Sequence, residues 1–301
     1  MKLMKNMRIA TVFKFGKKYR WNSKAFSKYL VLNTYNLYSP FQLAKKYLHY
    51  YFTASNGKGH GTHSPFVSNF ITNVLNDKKK YACYDTIEAI RQQLKKDTTV
   101  IEVEDFGAGS TVIKSNKRVV KAIANSSLKS SKFARLLFRM VKYYPSENIL
   151  ELGTSFGITT AYLANGNATA KVYTCEGAQH IAAIAQYNFD QLGIKNITLL
   201  KGDFAQTLPN LFATINQFDF AFVDGNHRKE PTLQYFHQLL AHSSSKAILI
   251  FDDIHWSSEM EAAWSVIKAD PAVTLTIDLF FIGIVCINND IKLKQHFIIR
   301  Y

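Results

Sequence analysis

After residue 148 the chain alternates between short apolar runs and stretches in which apolar residues recur at helical spacing. Strands separated by helices in this way indicate a parallel sheet with helices on both faces. Two later apolar runs follow each other so closely that we expect the sheet to end antiparallel. The predicted strands are Ile149–Leu152, Lys171–Cys175, Ile197–Leu200, Phe218–Val223, Ala247–Phe251, Val273–Leu279 and Phe281–Ile287, with helices over about 158–165, 178–192, 204–213, 229–242 and 257–269.

The pattern before residue 131 is less regular. Helices are predicted over Pro40–Tyr51, from Pro65, over Tyr84–Lys95, and over about 117–125 and 131–143. The segment VIEVEDFGAGS, 100–110, imitates a strand and a glycine turn, but no apolar helix follows it, so we expect a structured loop over the active site. The predicted organisation is a basic, poorly ordered arm over 1–38, a helical cap region over 39–130 and a ligand-binding domain over 131–301.

Charge separates the arm from the rest of the chain. The formal net charge is +15, and residues 1–76 contain twelve Lys or Arg and no Asp or Glu. Such an arm would suit nucleic acid or an anionic membrane surface, or it is simply a solvated tail. No apolar run of membrane-spanning length and no secretory signal occurs, and the cysteines Cys83, Cys175 and Cys286 show no disulfide or zinc spacing. We therefore expect a cytoplasmic protein.

The stretch NILELGTSFGITT, 148–160, predicts a buried strand, a tight glycine turn and the start of a helix. Gly153 would let the backbone turn sharply, and Gly157 would let it approach a ligand closely. The free N–H groups at the helix start would face an anion. An ordinary strand-to-helix turn fits this segment alone about equally well.

Acidic residues lie at or just beyond the ends of five consecutive predicted strands. They are Glu151, Glu176, Asp203, Asp224 and the pair Asp252–Asp253. Ligands of open α/β sheets bind beyond the carboxyl ends of the strands, so these acids would meet at one rim. Together they favour a ligand rich in hydroxyl or amine groups, or a metal ion.

Each acid suits a particular task. Glu176 lies one strand–helix–strand step after Glu151, where its oxygens could accept both hydroxyls of a ribose. Asp203 and Phe204 could offer an acceptor and a ring face to a purine. Three carboxylates, those of Asp224, Asp252 and Asp253, are hard oxygen ligands suited to Mg²⁺. His227 and His255, close to them in sequence, could act as a base or a ligand, although a surface position is as common for either.

The ordered set E-L-G-T-S-F-G-I-T-T, Glu176, Gly202-Asp203, V-D-G-N-H and F-D-D resembles a class I S-adenosylmethionine-dependent methyltransferase. It is similar to the catechol and macrocin O-methyltransferase-like groups. The resemblance covers about residues 132–288. It implies an α/β, Rossmann-like, doubly wound seven-stranded sheet with an antiparallel last strand, a frequent homodimer, and S-adenosylmethionine as cofactor, with Mg²⁺ in the metal-dependent members.

By this resemblance the cofactor's methionine end would contact Glu151, Gly153 and Thr159, its ribose Glu176, and its adenine Asp203 and Phe204. The implied cofactor-binding set also includes Thr154, Ser155, Gly157, Gly177 and Asp224. Asp224, Asp252 and Asp253 match the metal carboxylates, and Asp224 with His227 is the expected catalytic pair. The chain has Asp252-Asp253 where the catechol-type pattern has Asp-Asn, and it lacks the lysine after the acid of the fourth strand, so that base does not carry over.

The predicted function is methyl transfer to a small-molecule or sugar-like hydroxyl (EC 2.1.1.-), assisted by a divalent metal. A nicotinamide dehydrogenase would need G-x-G-x-x-G in the first turn, which offers only Gly153 and Gly157. The basic arm favours an RNA methyltransferase as the alternative, but no proline follows the acid of the fourth strand. A non-catalytic cofactor-binding protein is the third class, and a retained row of costly carboxylates argues against it. His60 and His63 could reach the pocket, although a histidine pair on a glycine-rich loop is more often simply exposed.

Overall fold

The alternation after residue 148 folds into a sheet with helices on both faces in the computed structural model, which describes residues 37–55, 57, 64–105, 114–288 and 290–301. The helices are α1 (Pro40–Thr53), α2 (Pro65–Phe70, continued by a π-helical turn over Ile71–Leu75), α3 (Cys83–Leu94), α4 (Val120–Ser127), α5 (Ser131–Tyr143), α6 (Ile158–Gly166), α7 (Gln179–Gln191), α8 (Phe204–Phe212), α9 (Lys229–Ala241) and α10 (Ser258–Ala269). The strands are β1 (Val100–Asp105), β2 (Lys114–Val119), β3 (Asn148–Leu152), β4 (Lys171–Glu176), β5 (Ile197–Lys201), β6 (Phe218–Val223), β7 (Ser243–Asp252), β8 (Leu275–Asp278), β9 (Ile282–Cys286) and β10 (Gln295–Ile298).

The main sheet has the strand order β10-β8-β9-β7-β6-β3-β4-β5. Its pairs are parallel except those of β9, which runs antiparallel to both β7 and β8. The Rossmann-like, doubly wound fold class is therefore confirmed. The described sheet has eight strands and not seven, because the short β10 adds to the edge beside β8. The antiparallel strand is consequently β9, and the last strand, β10, is parallel to its neighbour.

The two faces of the sheet follow the pleat, which sends successive side chains to opposite sides. In β6, Phe220 and Phe222 pack under α5 and α6, while Ala221 and Val223 pack under the layer formed by α8, α9 and α10. Both layers are fully buried, which explains why the central strands are mostly apolar.

The segment before α4 differs from the predicted loop. Val100–Asp105 is a strand, β1, which pairs antiparallel with β2 in a separate two-stranded sheet. Lys117 belongs to β2 opposite Glu102, so the helix predicted from 117 begins only at Val120. Opposite charges facing each other across the pair favour this arrangement over a loop. Residues 1–36, His60, His63 and the glycine-rich Phe106–Ser110 lie outside the described residues.

Helix α1 ties the amino-terminal side of the described chain to its far end. Ser39 and Gln42 form a capping box at its start. The Tyr50 hydroxyl donates to the Ile299 carbonyl over 2.5 Å and accepts from the Tyr301 amide. Lys46 on the same helix pairs with Glu261 of α10 at 2.9 Å. No helix in the described part of the chain is long and apolar enough to cross a membrane.

Candidate active site

The strand order reverses between β3 and β6, which are neighbours in the sheet. β4 and β5 follow on one side of this point and β7 on the other. A crevice opens at such a switch point beyond the carboxyl ends of the strands, where α/β proteins bind ligands. The acids that end β4 and β7, Glu176 and Asp252, lie on either side of it, and Asp224 directly follows β6.

The glycine turn is pressed against the end of β6. Gly153 has φ +101°, and a Cβ placed there would lie 2.2 Å from the Asp224 carbonyl oxygen. Gly157 has φ +76°, and a Cβ there would lie 2.4 Å from the Phe189 ring. Both positions therefore require glycine for backbone conformation and for space. Gly157 is also the N-cap of α6, with no side chain capping the helix start.

Glu151 lies beneath this turn and is completely buried. One of its oxygens accepts hydrogen bonds from Thr160 and, over 2.7 Å, from Thr174. Burial raises the pKa of Glu151 to about 8, although the two hydroxyls favour the charged form. Its other oxygen, Oε1, has no hydrogen-bond partner among the described residues. Oε1 is therefore a buried polar atom that a ligand would have to satisfy.

Glu176 is held rigidly beside the turn. Its carboxylate accepts from the Ser155 amide over 2.8 Å and from the Ala178 amide over 3.0 Å. Burial raises the pKa of Glu176, although these two hydrogen bonds and a third from the Gly177 amide act to lower it. A carboxylate has about four lone-pair positions, so both oxygens keep acceptor capacity for a diol. The Ser155 hydroxyl is also buried without a hydrogen-bond partner among the described residues.

The remaining cofactor candidates surround this centre. Asp203 is exposed and caps α8 by accepting from the Ala205 amide over 2.9 Å. The Phe204 ring packs edge-on against Tyr235 and directly beside Gly225 in the loop after β6. The Thr154 hydroxyl bonds Thr174, and Thr159 is buried in the first turn of α6. The structure thus gathers the predicted cofactor residues at one rim, while their binding role stays a prediction.

A lysine side chain lies among the three carboxylates that were predicted to bind a metal ion. Lys129, in the loop before α5, forms an ion pair and a hydrogen bond with Asp252. Its ammonium also interacts electrostatically with Asp224 and Asp253. Among the described residues no group of three or more His, Cys, Asp or Glu side chains could hold a metal ion. The cluster as arranged does not fit Mg²⁺, because an ammonium already lies among the oxygens that the metal would need.

Asp224 and Asp252 share their charge unequally. Burial and the neighbouring Asp252 carboxylate raise the pKa of Asp224 well above its usual value. Burial also raises the pKa of Asp252, but the Lys129 ammonium outweighs it and holds that pKa below its usual value. Asp252 is therefore the ionised partner of Lys129, and Asp224 hydrogen-bonds to it. His227 lies at the edge of the cluster, with Nε2 3.6 Å from Asp224 Oδ1.

His255 does not join this cluster, although it follows Asp253 closely in sequence. Its two ring nitrogens contact Glu261 at 2.9 Å and Asp278 at 2.8 Å. Burial lowers the pKa of His255, but these carboxylates raise it to about 9. Asp253 has φ +52°, and this left-handed turn directs the following residues toward α1 and α10. His255 therefore belongs to the contacts that hold α1.

Sequence reasoning missed three residues of the rim. Lys129 lies in a polar segment without any period, while Thr160 and Thr174 look like ordinary helix and strand residues. The two threonines could have been suspected, because a buried glutamate needs hydroxyl or amide donors close by. Lys129 carried no comparable signal, since its partner Asp252 is 123 residues away.

Comparisons with known proteins find similarity to methyltransferases. Residues 150–254 match the family model for a methyltransferase domain. A catechol O-methyltransferase of Niastella koreensis is 30% identical over 126 residues, which are 41% of this chain and 55% of that protein. A protein-L-isoaspartate O-methyltransferase of Rhizobium meliloti is 28% identical over 94 residues, 31% of this chain and 45% of that protein. The chain thus spans about half the length of the curated relatives that it matches.

A solved structure shares the fold. The O-methyltransferase from Bacillus cereus, in complex with SAH, superposes with a TM-score of 0.50 and 22% identity, over 72% of this chain and 96% of that one. This similarity supports the Rossmann-like architecture described above.

Proposed function

We propose that the chain is a class I S-adenosylmethionine-dependent methyltransferase of the catechol O-methyltransferase-like type and that it methylates a hydroxyl oxygen of a small-molecule or sugar-like acceptor. The observation that carries the proposal is the Gly153 turn, seated against Asp224 at the switch point of the sheet. Beside it, Glu176 is fixed by backbone amides with acceptor capacity to spare.

The residues at the rim fit S-adenosylmethionine. The Oε1 atom of Glu151 and the hydroxyl of Ser155 are buried polar atoms that lack a described partner. Such atoms are costly unless a ligand satisfies them. We propose that Glu151, Ser155 and the Gly153 turn hold the methionine end, that Glu176 holds the ribose, and that Asp203 with Phe204 holds the adenine. Thr154, Gly157, Thr159 and Gly177 shape this cradle.

When bound, S-adenosylmethionine supplies a methyl group on a positively charged sulfur. The protein must then position the acceptor hydroxyl and remove its proton as the oxygen takes the methyl group. His227 is the proposed base, because its imidazole is partly exposed and lies at the edge of the cluster, with Nε2 3.6 Å from Asp224 Oδ1. No step is assigned to Mg²⁺, since Lys129 lies among the carboxylates that were expected to bind it.

The test is calorimetric titration of the purified chain with S-adenosylmethionine. Glu176→Ala should abolish micromolar binding of the cofactor. Glu147 is an exposed glutamate at the opposite end of β3, and Glu147→Ala should leave that binding unchanged. A screen of hydroxyl acceptors beginning with catechol, read by release of S-adenosylhomocysteine, would then test the transfer. Absence of cofactor binding by a chain shown to be folded would refute the proposal.

A further inference from the structure

We propose that the Lys129 ammonium is the resident cation of the Asp224–Asp252–Asp253 cluster and takes the place of a divalent metal. A second part rests on the proposed function: the same ammonium holds the acceptor oxygen during methyl transfer. The first part concerns cation binding alone and can be tested without any methyl acceptor.

The contacts of Lys129 place a positive charge where the three carboxylates converge. The side chains of Lys129 and Asp252 are 9% and 2% exposed, so their ion pair is almost fully withdrawn from water. Asp224 completes the group by hydrogen-bonding to Asp252. Magnesium needs near-octahedral oxygen ligands at about 2.0–2.1 Å and would compete for these oxygens while facing the ammonium at close range. The lysine thus supplies the compensating charge that a buried acidic cluster requires.

The backbone of Lys129 is fixed by a buried network, which argues against a chance surface contact. Arg91 of α3 is 2% exposed and donates through Nη1 to the Lys129 carbonyl over 2.6 Å. Glu88 on the same helix pairs with Arg91 at 2.9 Å and accepts from the Ser131 hydroxyl at 2.6 Å. These bonds fix the backbone of Lys129 and the residue that begins α5, so the position from which the Lys129 side chain extends is determined.

This position suits a group that stabilises a developing negative charge. An ammonium has three N–H donors, and the ion pair with Asp252 occupies one of them. A donor left over can bind the acceptor oxygen as it loses its proton, and this bond is strong because the Lys129 side chain is only 9% exposed to water. The lysine would therefore do two tasks that a metal ion does in related chemistry, which are neutralising the carboxylates and orienting the oxygen.

The experiment is a titration with Mn²⁺, which prefers hard oxygen ligands and whose free form is read directly by electron paramagnetic resonance. The wild-type chain should take up no saturable Mn²⁺ at millimolar concentrations. Lys129→Met keeps the length of the side chain and removes its charge. This variant should bind Mn²⁺ at least roughly tenfold more tightly than the wild type does, because its carboxylates lack a cation. Mn²⁺ should raise the melting temperature of this variant only.

Two variants serve as controls. Lys132→Met removes a charge from the first turn of α5, where the ammonium lies over the Tyr301 ring at 3.8 Å, and it should behave like the wild type. Lys129→Arg keeps the charge and should also exclude Mn²⁺. With an acceptor from the screen, EDTA should leave the wild-type rate unchanged, and Lys129→Met should lower kcat/KM by about 100-fold without weakening S-adenosylmethionine binding.

Saturable Mn²⁺ uptake by the wild-type chain that Asp252→Asn removes would overturn the first part. So would a folded Lys129→Met chain that binds no more Mn²⁺ than Lys132→Met. If Lys129→Met does not fold, the titration of the wild-type chain still decides whether the carboxylate cluster takes up a divalent metal or excludes it. A failure of the proposed function would show separately, as absent S-adenosylmethionine binding with unchanged Mn²⁺ results. An EDTA-sensitive wild-type rate would overturn the second part.

Discussion

Replacing Gly153 with alanine tests whether the turn after β3 must touch the end of β6. The new Cβ would lie 2.2 Å from the Asp224 carbonyl oxygen and 2.9 Å from its carbonyl carbon. These are backbone atoms, so no flexible side chain can move aside. The substitution must separate the two loops that define the crevice, and Asp224 would move with its loop.

The expected cost has two parts. An alanine at positive φ costs about 1–2 kcal/mol. Forcing an extra carbon into a filled space typically adds about 1–3 kcal/mol. Gly153→Ala should therefore lower the free energy of unfolding by about 2–5 kcal/mol. Gly193 isolates the first part, because it has φ +66° and nothing within 4 Å of its Cβ position. Gly193→Ala should cost only about 1–2 kcal/mol.

Urea unfolding at 25 °C measures both variants, with the slope m checked so that a shifted midpoint reports stability alone. Titration with S-adenosylmethionine should show weakened binding for Gly153→Ala and unchanged binding for Gly193→Ala. Equal losses of stability in the two variants would refute the reasoning, because the contact with Asp224 would then contribute nothing.

Glu151→Gln should flatten the dependence of the unfolding free energy on pH. Burial raises the pKa of Glu151 from 4.5 to about 8. Between these two pH values the wild type, but not the variant, should lose up to about 1.4 kcal/mol of unfolding free energy per pH unit. This stabilisation is complete below pH 4.5 and lost above about pH 8; urea midpoints across the range measure it. Tyr50→Phe should lower the free energy of unfolding by about 1–2 kcal/mol, because it leaves the buried Ile299 carbonyl without its hydroxyl donor. Glu261→Gln should speed amide hydrogen exchange in α1, since Lys46 loses its ionic partner.

Each of these expectations has its own control. A wild-type curve parallel to that of Glu151→Gln would show that Glu151 does not carry the proton. Tyr51 is 42% exposed, so Tyr51→Phe should cost far less than Tyr50→Phe, and equal costs would contradict the role of the buried hydroxyl. Exchange in α9 should not respond to Glu261→Gln, and a general increase would indicate global destabilisation instead.

The sheet was predictable because its signal is local. Both bounds of β6 follow from the apolar run Phe218–Val223, and the acids after the strands indicate which edge carries the site. The start of β7 was not predictable, because Ser243–Lys246 is polar. Those residues extend the strand because Ser243 pairs with Phe218 of β6, which supplies hydrogen bonds that no local pattern shows.

The composition of the site was only partly predictable. The glycines and the acids at the strand ends can be recognised in the sequence, since backbone conformation and topology require them at particular places. Lys129 does not, because its position depends on Arg91 and on the packing of α3. For His255 the sequence suggested too much. Its closeness to Asp253 predicted a base or metal ligand at the carboxylate cluster, but its ring contacts Glu261 and Asp278 instead.

The docking of α1 also sets an order for folding during synthesis. The bond between Tyr50 and Ile299 joins residues 249 positions apart. At a ribosomal rate of about 5–20 residues per second, the helix is made roughly 12–50 s before its partner exists. During that interval the aromatic face around Tyr47 and Tyr50 lacks the Phe280 ring on which it later packs. We therefore expect the nascent chain to bind a chaperone at α1 until β10 has emerged.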